Sequence, residues 1–266
     1  MNPAPIGIFD SGIGGLTVVR AISERLPRES TVYFGDTARV PYGPKSPETV
    51  RRYSLEIMQW LVGQGVKLIV IGCNTSTAHA LSALRDVSPV PVIGVIEPGA
   101  RAAVRAAQGQ PIGVIGTAGT VASNAYARAI HAIDPAVRVE QLACPLFVPL
   151  VEEGWFEHPA AELIAYEYLR PLLDARVRVL VLGCTHYPLL KPLLHRIMGP
   201  SMELIDSAEE TARAVADALR AQALESPPGN PPTHRFVVSD DEARFRQVGA
   251  RFIGERLTNA EVVTLG

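Results

Sequence analysis

An α/β fold with mainly parallel sheets is the class this chain predicts, and three features of the sequence predict it. Short apolar runs alternate with stretches of helical spacing, and brief glycine- and proline-bearing turns join them. Two of the apolar runs end alike: Ile69-Val70-Ile71-Gly72-Cys73-Asn74-Thr75 and Leu180-Val181-Leu182-Gly183-Cys184-Thr185-His186. The order of elements around the first of these is repeated around the second.

In chain order, Ile6 to Phe9 reads as a buried strand, followed by the glycine-rich turn Asp10-Ser11-Gly12-Ile13-Gly14-Gly15. Apolar residues at helical spacing run from Leu16 to Leu26 and stop before Pro27. Thr31 to Phe34 is a second strand, leading to the loop Val40-Pro41-Tyr42-Gly43-Pro44. A helix is expected from Pro47 to Gln64, a strand from Val66 to Ile71 that delivers Cys73, and a helix to about Arg85. Pro91 to Val95 is a further strand, and Ala100 to Ala107 an amphipathic helix.

The pattern then restarts. Ile112 to Ile115 echoes Ile6 to Phe9, Gly116-Thr117-Ala118-Gly119-Thr120 echoes the first glycine turn, and Val137 to Leu142 echoes the second strand. Val148-Pro149 echoes Val40-Pro41, and Cys184 echoes Cys73. The offsets rise in order, 106 at Ile112, 108 at Pro149 and 111 at Cys184, as an internal duplication predicts. Met202 to Ile205 closes the second unit, and a periodic helix follows from Ser207 to Ala223. Beyond the proline-rich loop at 227–232, strands at Phe236 to Val238 and Val262 to Leu265 flank a helix from Asp241 to Leu257. These last pieces are too small for a core of their own and are expected to return to one of the units. The domain division is therefore 1–97 plus about 208–266 for the first α/β unit and 98–207 for the second, with the active site between them.

The 266 residues are 47% hydrophobic, enough for a substantial core, and 25 basic against 27 acidic residues leave the charge nearly balanced. No basic, aromatic-rich stripe of the kind a nucleic-acid groove needs is present. No apolar run approaches the ~20 residues of a membrane span. Met1-Asn2-Pro3-Ala4-Pro5 lacks the charged and apolar regions of a signal peptide, so a soluble, cytoplasmic protein is expected. Three widely spaced cysteines make no disulfide framework, and none has a neighbour at metal-ligand spacing, so no metal site is expected.

Ligands of parallel α/β sheets bind beyond the carboxyl ends of the strands. Asp10, Ser11, Cys73, Thr117 and Cys184 all follow predicted strands directly, and facing units would bring them to one crevice. Both cysteines stand at predicted helix starts, where the helix N-terminus lowers a thiol below its ordinary ~8.5, so partial thiolate character is expected at neutral pH. Cys144, in an apolar run beside Pro145, reads as structural. The pair suggests a proton acceptor and a proton donor on opposite sides of one small substrate. Asp10 is the carboxylate available to the first thiol; Gly116 occupies its place in the second half, leaving His186, oriented by Glu152, as a partner for Cys184.

The turn Gly12-Ile13-Gly14-Gly15 fails the dinucleotide fingerprint, because Thr17 replaces the third spaced glycine, and it is no P-loop. It reads instead as a turn whose backbone approaches a small anion, while Ser11, Asn74, Thr75, Thr117 and Thr185 offer short polar groups to a ligand with carboxylate and amino functions. Of the three lysines, Lys45, Lys67 and Lys191, none has a convincing setting for a pyridoxal Schiff base, and chemistry without that cofactor is favoured. The remaining histidines, His79, His131, His158, His195 and His234, read as surface or core residues.

Taken together, Asp10-Ser11-Gly12-Ile13-Gly14-Gly15-Leu16, Pro41-Tyr42-Gly43, Gly72-Cys73-Asn74-Thr75, Val95-Ile96-Glu97-Pro98-Gly99 and Gly183-Cys184-Thr185-His186-Tyr187-Pro188 resemble the glutamate racemase family. The likeness runs from about Ile6 to at least Leu219 and is looser in the tail; Ser76-Thr77-Ala78 stands where the family often has Ala-Ser-Ala. The resemblance implies a cofactor-independent enzyme that supplies D-glutamate for bacterial cell walls. It implies two bases: Cys73 taking the α-proton from D-glutamate and Cys184 from L-glutamate, with Asp10 supporting Cys73, and Glu152 and His186 supporting Cys184. Asp10, Ser11, Pro41, Tyr42, Gly43, Asn74, Thr75, Thr117, Thr185 and His186 match positions that hold the substrate. The expected partner is glutamate, with no nucleic acid and no membrane, and with a homodimer left open.

Three other readings compete. A racemase for aspartate or another acidic amino acid would share the paired thiols and differ in pocket length. A non-catalytic amino-acid-binding protein would tolerate loss of either cysteine. A thiol redox protein would form a reversible Cys73–Cys184 disulfide.

Overall fold

The structure, a computed structural model, describes every residue except Asn230, Thr258 and Gly266, and leaves out the side chain of Glu255. One sheet contains β1 (Ile6–Asp10), β2 (Thr31–Gly35), β3 (Leu68–Ile71), β4 (Val92–Gly94), β9 (His234–Val238) and β10 (Glu261–Val262), in the order β10-β9-β2-β1-β3-β4. The other contains β5 (Ile112–Gly116), β6 (Val139–Ala143), β7 (Val179–Gly183) and β8 (Glu203–Asp206), in the order β6-β5-β7-β8. All the pairings are parallel. The blocks β2-β1-β3-β4 and β6-β5-β7-β8 have one topology, and Ile6 and Ile112 open their central strands in equivalent register, against Thr31 and Leu68 in one sheet and Val139 and Val179 in the other. The C-terminal strands return to the first sheet, where β9 pairs with β2.

Parallel strands need long crossovers, and helices supply them. They are α1 (Leu16–Arg25), α2 (Pro47–Gly63), α3 (Asn74–Val87), α4 (Ile96–Ala107), α5 (Ala118–Ala122), α6 (Ala125–His131), α7 (Phe147–Glu152), α8 (Pro159–Asp174), α9 (Lys191–Met198), α10 (Ser207–Ala221) and α11 (Glu242–Ile253). Local chemistry sets several starts. Ser46 accepts from the Thr49 N–H ahead of Pro47 at the first turn of α2, and Asp206 caps α10 by accepting from the Ala208 N–H.

Side chains alternate between the two faces of each strand and so divide the interior in two. Phe9, Ile69 and Ile71 join Phe34, Ile57, Leu61 and Leu84 beneath α2 and α3. Ile6, Ile8, Leu68 and Val70 face the other way, into a core that continues through Leu16, Ala103 and Tyr126 to Val114, Leu180 and Val181 of the second sheet. That shared core packs the two sheets together.

Several sequence expectations need correction. Val148-Pro149 does not repeat the Val40-Pro41 loop; it lies inside α7, because Phe147, Leu150 and Val151 bury one helical face and Pro149 falls in the first turn, where its missing N–H costs no helical bond. Cys184 does not begin an α-helix. A turn and a 3-10 segment (Tyr187–Leu190) precede α9, with Pro188 in the first turn of that segment, where its missing N–H costs no helical bond. α4 starts at Ile96, ahead of the expected Ala100, with Pro98 accommodated in its first turn and Glu97 paired with Arg85. The tail helix ends at Ile253, where Gly254 at φ 64 turns the chain into a 3-10 segment (Gly254–Arg256). Within the proline-rich loop, Asn230 lies outside the described residues.

Candidate active site

The carboxyl ends of β1 and β3 in one sheet and of β5 and β7 in the other open on a common, narrow cavity of about 60 Å³. Ser11, Pro41, Tyr42, Gly43, Cys73, Asn74 and Thr75 line it from one side, and Thr117, Glu152, Cys184, Thr185 and His186 from the other. Asp10 lies behind this lining, almost fully buried. Gly12, Ile13, Val40 and Val148 also line the cavity. Of these, Val148 was not expected at the site, since the sequence offers no chemical signal for an apolar wall residue.

Both thiols are free and nearly buried, with Cys73 5% and Cys184 6% exposed. Cys73 is the N-cap of α3: the Ser76 N–H donates to its sulfur at 3.4 Å, and the thiol donates to Ser11 Oγ at 3.7 Å. Burial nevertheless pushes this thiol up to about 11, and the nearby Asp10 charge adds to the rise, against the opposing bonds from Ser76 and Ser11. Its surroundings therefore favour the neutral thiol. This overturns the expected thiolate, because desolvation of the buried sulfur outweighs the helix N-terminus.

Cys184 has different surroundings. Its sulfur lies 3.9 Å from His186 Nδ1, and His186 Nε2 lies 3.0 Å from Glu152 Oε1. Burial alone would lower His186, but the Cys184 sulfur and the Glu152 carboxylate overcome it and raise the imidazole to about 10. Burial would raise Glu152, but His186 and then Arg244 hold it below the usual carboxylate value. The arm is thus a sulfur, an imidazolium and a carboxylate in sequence.

Asp10 makes no hydrogen bond to the Cys73 sulfur among the described residues. Its Oδ1 accepts from the Gly12 N–H at 2.9 Å and its Oδ2 from the Thr185 hydroxyl at 3.3 Å, so it ties the glycine turn to the opposite unit. Burial raises its pKa, opposed chiefly by the charge on His186. The glycine turn itself approaches side chains: a Cβ on Gly14 would fall 2.2 Å from Thr185 Oγ1 and 2.5 Å from His186 Nδ1. Gly14 is thus in close contact with the second unit.

Other bonds cross the same cleft. Thr75 and Thr117 hydroxyls are 2.9 Å apart, and the Gly119 N–H donates to the Gly43 carbonyl at 2.9 Å. The Tyr126 hydroxyl, which the sequence did not single out, donates to Asn74 Oδ1 at 2.8 Å. Asn74 Nδ2 is left as a buried donor without a partner among the described residues, at the cavity wall. Cys144 is buried away from the lining, and its carbonyl accepts from the Tyr187 hydroxyl. Lys67 and Lys191 are engaged in ion pairs with Glu29 and Asp206 rather than at the cavity.

Residues 6–215 match the model of the Asp/Glu/Hydantoin racemase family. A glutamate racemase of Syntrophus aciditrophicus is 54% identical over 98% of this chain and 97% of its own. A glutamate racemase isoform of Bacillus anthracis superposes with a TM-score of 0.94 at 37% identity, covering 100% of this chain and 98% of its own. The glutamate racemase of Francisella tularensis solved with D-glutamate gives 0.93 at 38% identity, covering 100% and 99%. A family match across both sheets, and full-length likeness in sequence and in fold, make this chain a member of the Asp/Glu/Hydantoin racemase family, among its glutamate racemases.

Proposed function

We propose that this chain interconverts L- and D-glutamate without a cofactor, using Cys73 and Cys184 as paired acid and base. The observation that carries the reading is their placement: each follows the equivalent strand of a different sheet, β3 and β7, and both line one cavity. A planar carbanion formed between two sulfurs can be reprotonated on either face, which is what inversion requires.

In the L-to-D direction Cys184, beside His186, acts as the base that takes the α-proton, and the Cys73 thiol returns one to the opposite face. In the D-to-L direction the roles exchange. One L-to-D turnover leaves Cys73 deprotonated and Cys184 carrying the abstracted proton, and this is the form that starts the D-to-L direction; the α-ammonium of bound glutamate supplies a positive charge that favours the Cys73 thiolate. Asp10 supports the first arm through the Gly12 turn and Thr185, while Glu152 and His186 support the second. Ser11, Asn74, Thr75, Thr117 and Thr185 hold the ammonium and α-carboxylate, and Pro41-Tyr42-Gly43 borders the distal carboxylate. Asn74 Nδ2, without a partner among the described residues, is a donor available for a carboxylate oxygen.

An α-proton beside a carboxylate is very weakly acidic. Positioned acid and base groups contribute about 10²- to 10⁴-fold. The remainder is assigned to dipoles fixed around the developing charge, the α3 N-terminus among them, in a site closed to water. The two units, 1–97 with about 208–266 and 98–207, close over the substrate. The product is read as a peptidoglycan precursor made in the cytoplasm, on the family resemblance. Among the described residues, no helix is long and apolar enough to cross a membrane.

Incubation with L- or D-glutamate in deuterated water tests this. Circular dichroism should decay to zero from either enantiomer, with one deuterium at Cα of each inverted molecule. Retention of optical activity, or inversion without deuterium, would rule the reading out. Aspartate run in parallel separates the substrate classes: faster turnover of aspartate would reassign the enzyme.

A further inference from the structure

Helix α11 lies in the C-terminal segment, beyond the span of the family match, and follows β9 of the first sheet. Three of its residues converge on the Cys184 arm of the second unit. Arg251 Nη1 donates to the backbone carbonyl of Glu152, and it reaches the Val151 carbonyl at 3.4 Å. The Glu152 carbonyl ends α7, where acceptors lack a partner within the helix and a cation suits that end of the helix dipole, while the Val151 carbonyl also takes the Gly154 N–H at 3.0 Å. The guanidinium also lies flush against Gly154: at φ 78, a Cβ there would sit 3.0 Å from Arg251 Cζ.

Arg244 occupies the same face of α11, two turns earlier. Its Nη2 lies 3.5 Å from Glu152 Oε2, while Oε1 of the same carboxylate holds His186. Phe252 meets the His186 ring edge to face, with centroids 5.5 Å apart and planes at 87°, and its own carbonyl accepts from Arg20 Nη1 at 2.9 Å. One helix of the first unit therefore touches the backbone, the carboxylate and the imidazole of the arm that serves Cys184. The surroundings of the Cys73 sulfur, Ser11 and Ser76, receive no such clamp from it.

We propose that Arg251 and Arg244 are positioning residues for the Glu152–His186–Cys184 arm, so that α11 adjusts proton transfer at one thiol and leaves the other unchanged. The proposal rests on the two-thiol reading above. The enantiomers have equal free energy, so any variant must lower kcat/KM equally in both directions. The asymmetry appears instead in which proton transfer limits the rate.

The test compares Arg251→Ala, Arg251→Lys and Arg244→Gln with the parent enzyme. It measures kcat and KM in both directions, primary isotope effects with α-deuterated L- and D-glutamate, and thermal melting. A misplaced arm should lower kcat/KM by about 10- to 100-fold in Arg251→Ala. The isotope effect should rise with deuterated L-glutamate, whose proton goes to Cys184, and fall with deuterated D-glutamate. Arg251→Lys, which keeps a cation and a donor, should recover part of the rate. Arg244→Gln, at an exposed position, should fold normally and shift the isotope effects in the same sense more weakly. If melting drops while kcat, KM and both isotope effects stay at parent values, α11 is merely structural and the proposal fails, although the racemase reading stands. Isotope effects that move equally for both enantiomers also overturn it. A parent enzyme that does not racemise glutamate removes the underlying reading as well.

Discussion

Tyr126 of α6 donates its hydroxyl to Asn74 Oδ1 across the cleft, at 2.8 Å, one residue after Cys73. The bond fixes the Asn74 amide so that Nδ2 remains at the cavity wall, and it joins the two units beside a thiol. Tyr126 is fully buried, so removing its hydroxyl leaves an unpaired acceptor in the interior.

Tyr126→Phe should therefore cost about 1–3 kcal/mol of stability. KM for glutamate should rise more than kcat falls, because the Asn74 amide loses its orientation. Denaturant unfolding and steady-state kinetics check both, and an unchanged KM would detach Asn74 from substrate binding.

The glycine turn predicts a steric effect. A methyl group on Gly14 would meet Thr185 and His186 at less than contact distance, so Gly14→Ala must push the second unit's residues away from the first. Displacement on the order of 1 Å should lower kcat/KM by about 10²-fold. Near-normal activity would show that the turn yields without disturbing His186.

His186 predicts a pH dependence with a definite sign. Its pKa is raised from 6.5 to about 10 in the folded chain, so its stabilising contribution is complete below pH 6.5 and disappears as pH rises through about 10. The melting temperature of the parent should exceed that of His186→Asn most at the acidic end of this window. The gap should narrow steadily toward its alkaline end. A gap that widens with pH would mean the imidazole is buried neutral.

Away from the site, Lys67 Nζ lies 2.5 Å from Glu29 Oε2, with both side chains almost wholly buried. The same ammonium reaches the Asn2 carbonyl and Ser226 Oγ, so it fastens the N-terminal segment and the α10–β9 connection to the start of β3. Lys67→Ala strands a buried carboxylate and should cost about 3–5 kcal/mol, while kcat/KM of the folded fraction stays at the parent value. Chemical denaturation and kinetics on the same preparation measure the two effects separately.

The parallel sheets and the pair of thiols were legible because their signals are local. Each rests on an apolar run, a glycine and a cysteine at fixed spacing, and the duplication was visible in the offsets at Ile112 and Cys184, while the one at Pro149 paired a loop with a helix. What the sequence hides comes from tertiary context. Val148-Pro149 looks like Val40-Pro41 over two residues, and the helix is decided by the apolar face that Phe147, Leu150 and Val151 bury. Cys73 stands at a helix start as expected, yet its ionisation is governed by burial that spacing does not report. Tyr126, 52 residues from Asn74, and Arg244, 92 residues from Glu152, reach the site through contacts that no local motif encodes.

The most direct test of the two-thiol account is α-proton exchange and inversion by Cys73→Ser and Cys184→Ser, each assayed from both enantiomers. Replacing a thiol by a hydroxyl, a far weaker acid that does not ionise to a usable base at neutral pH, should lower racemisation in both directions by at least about 10²-fold in each variant, since inversion needs one group on each face. A folded variant of either kind that inverts glutamate at the parent rate from both enantiomers would contradict it.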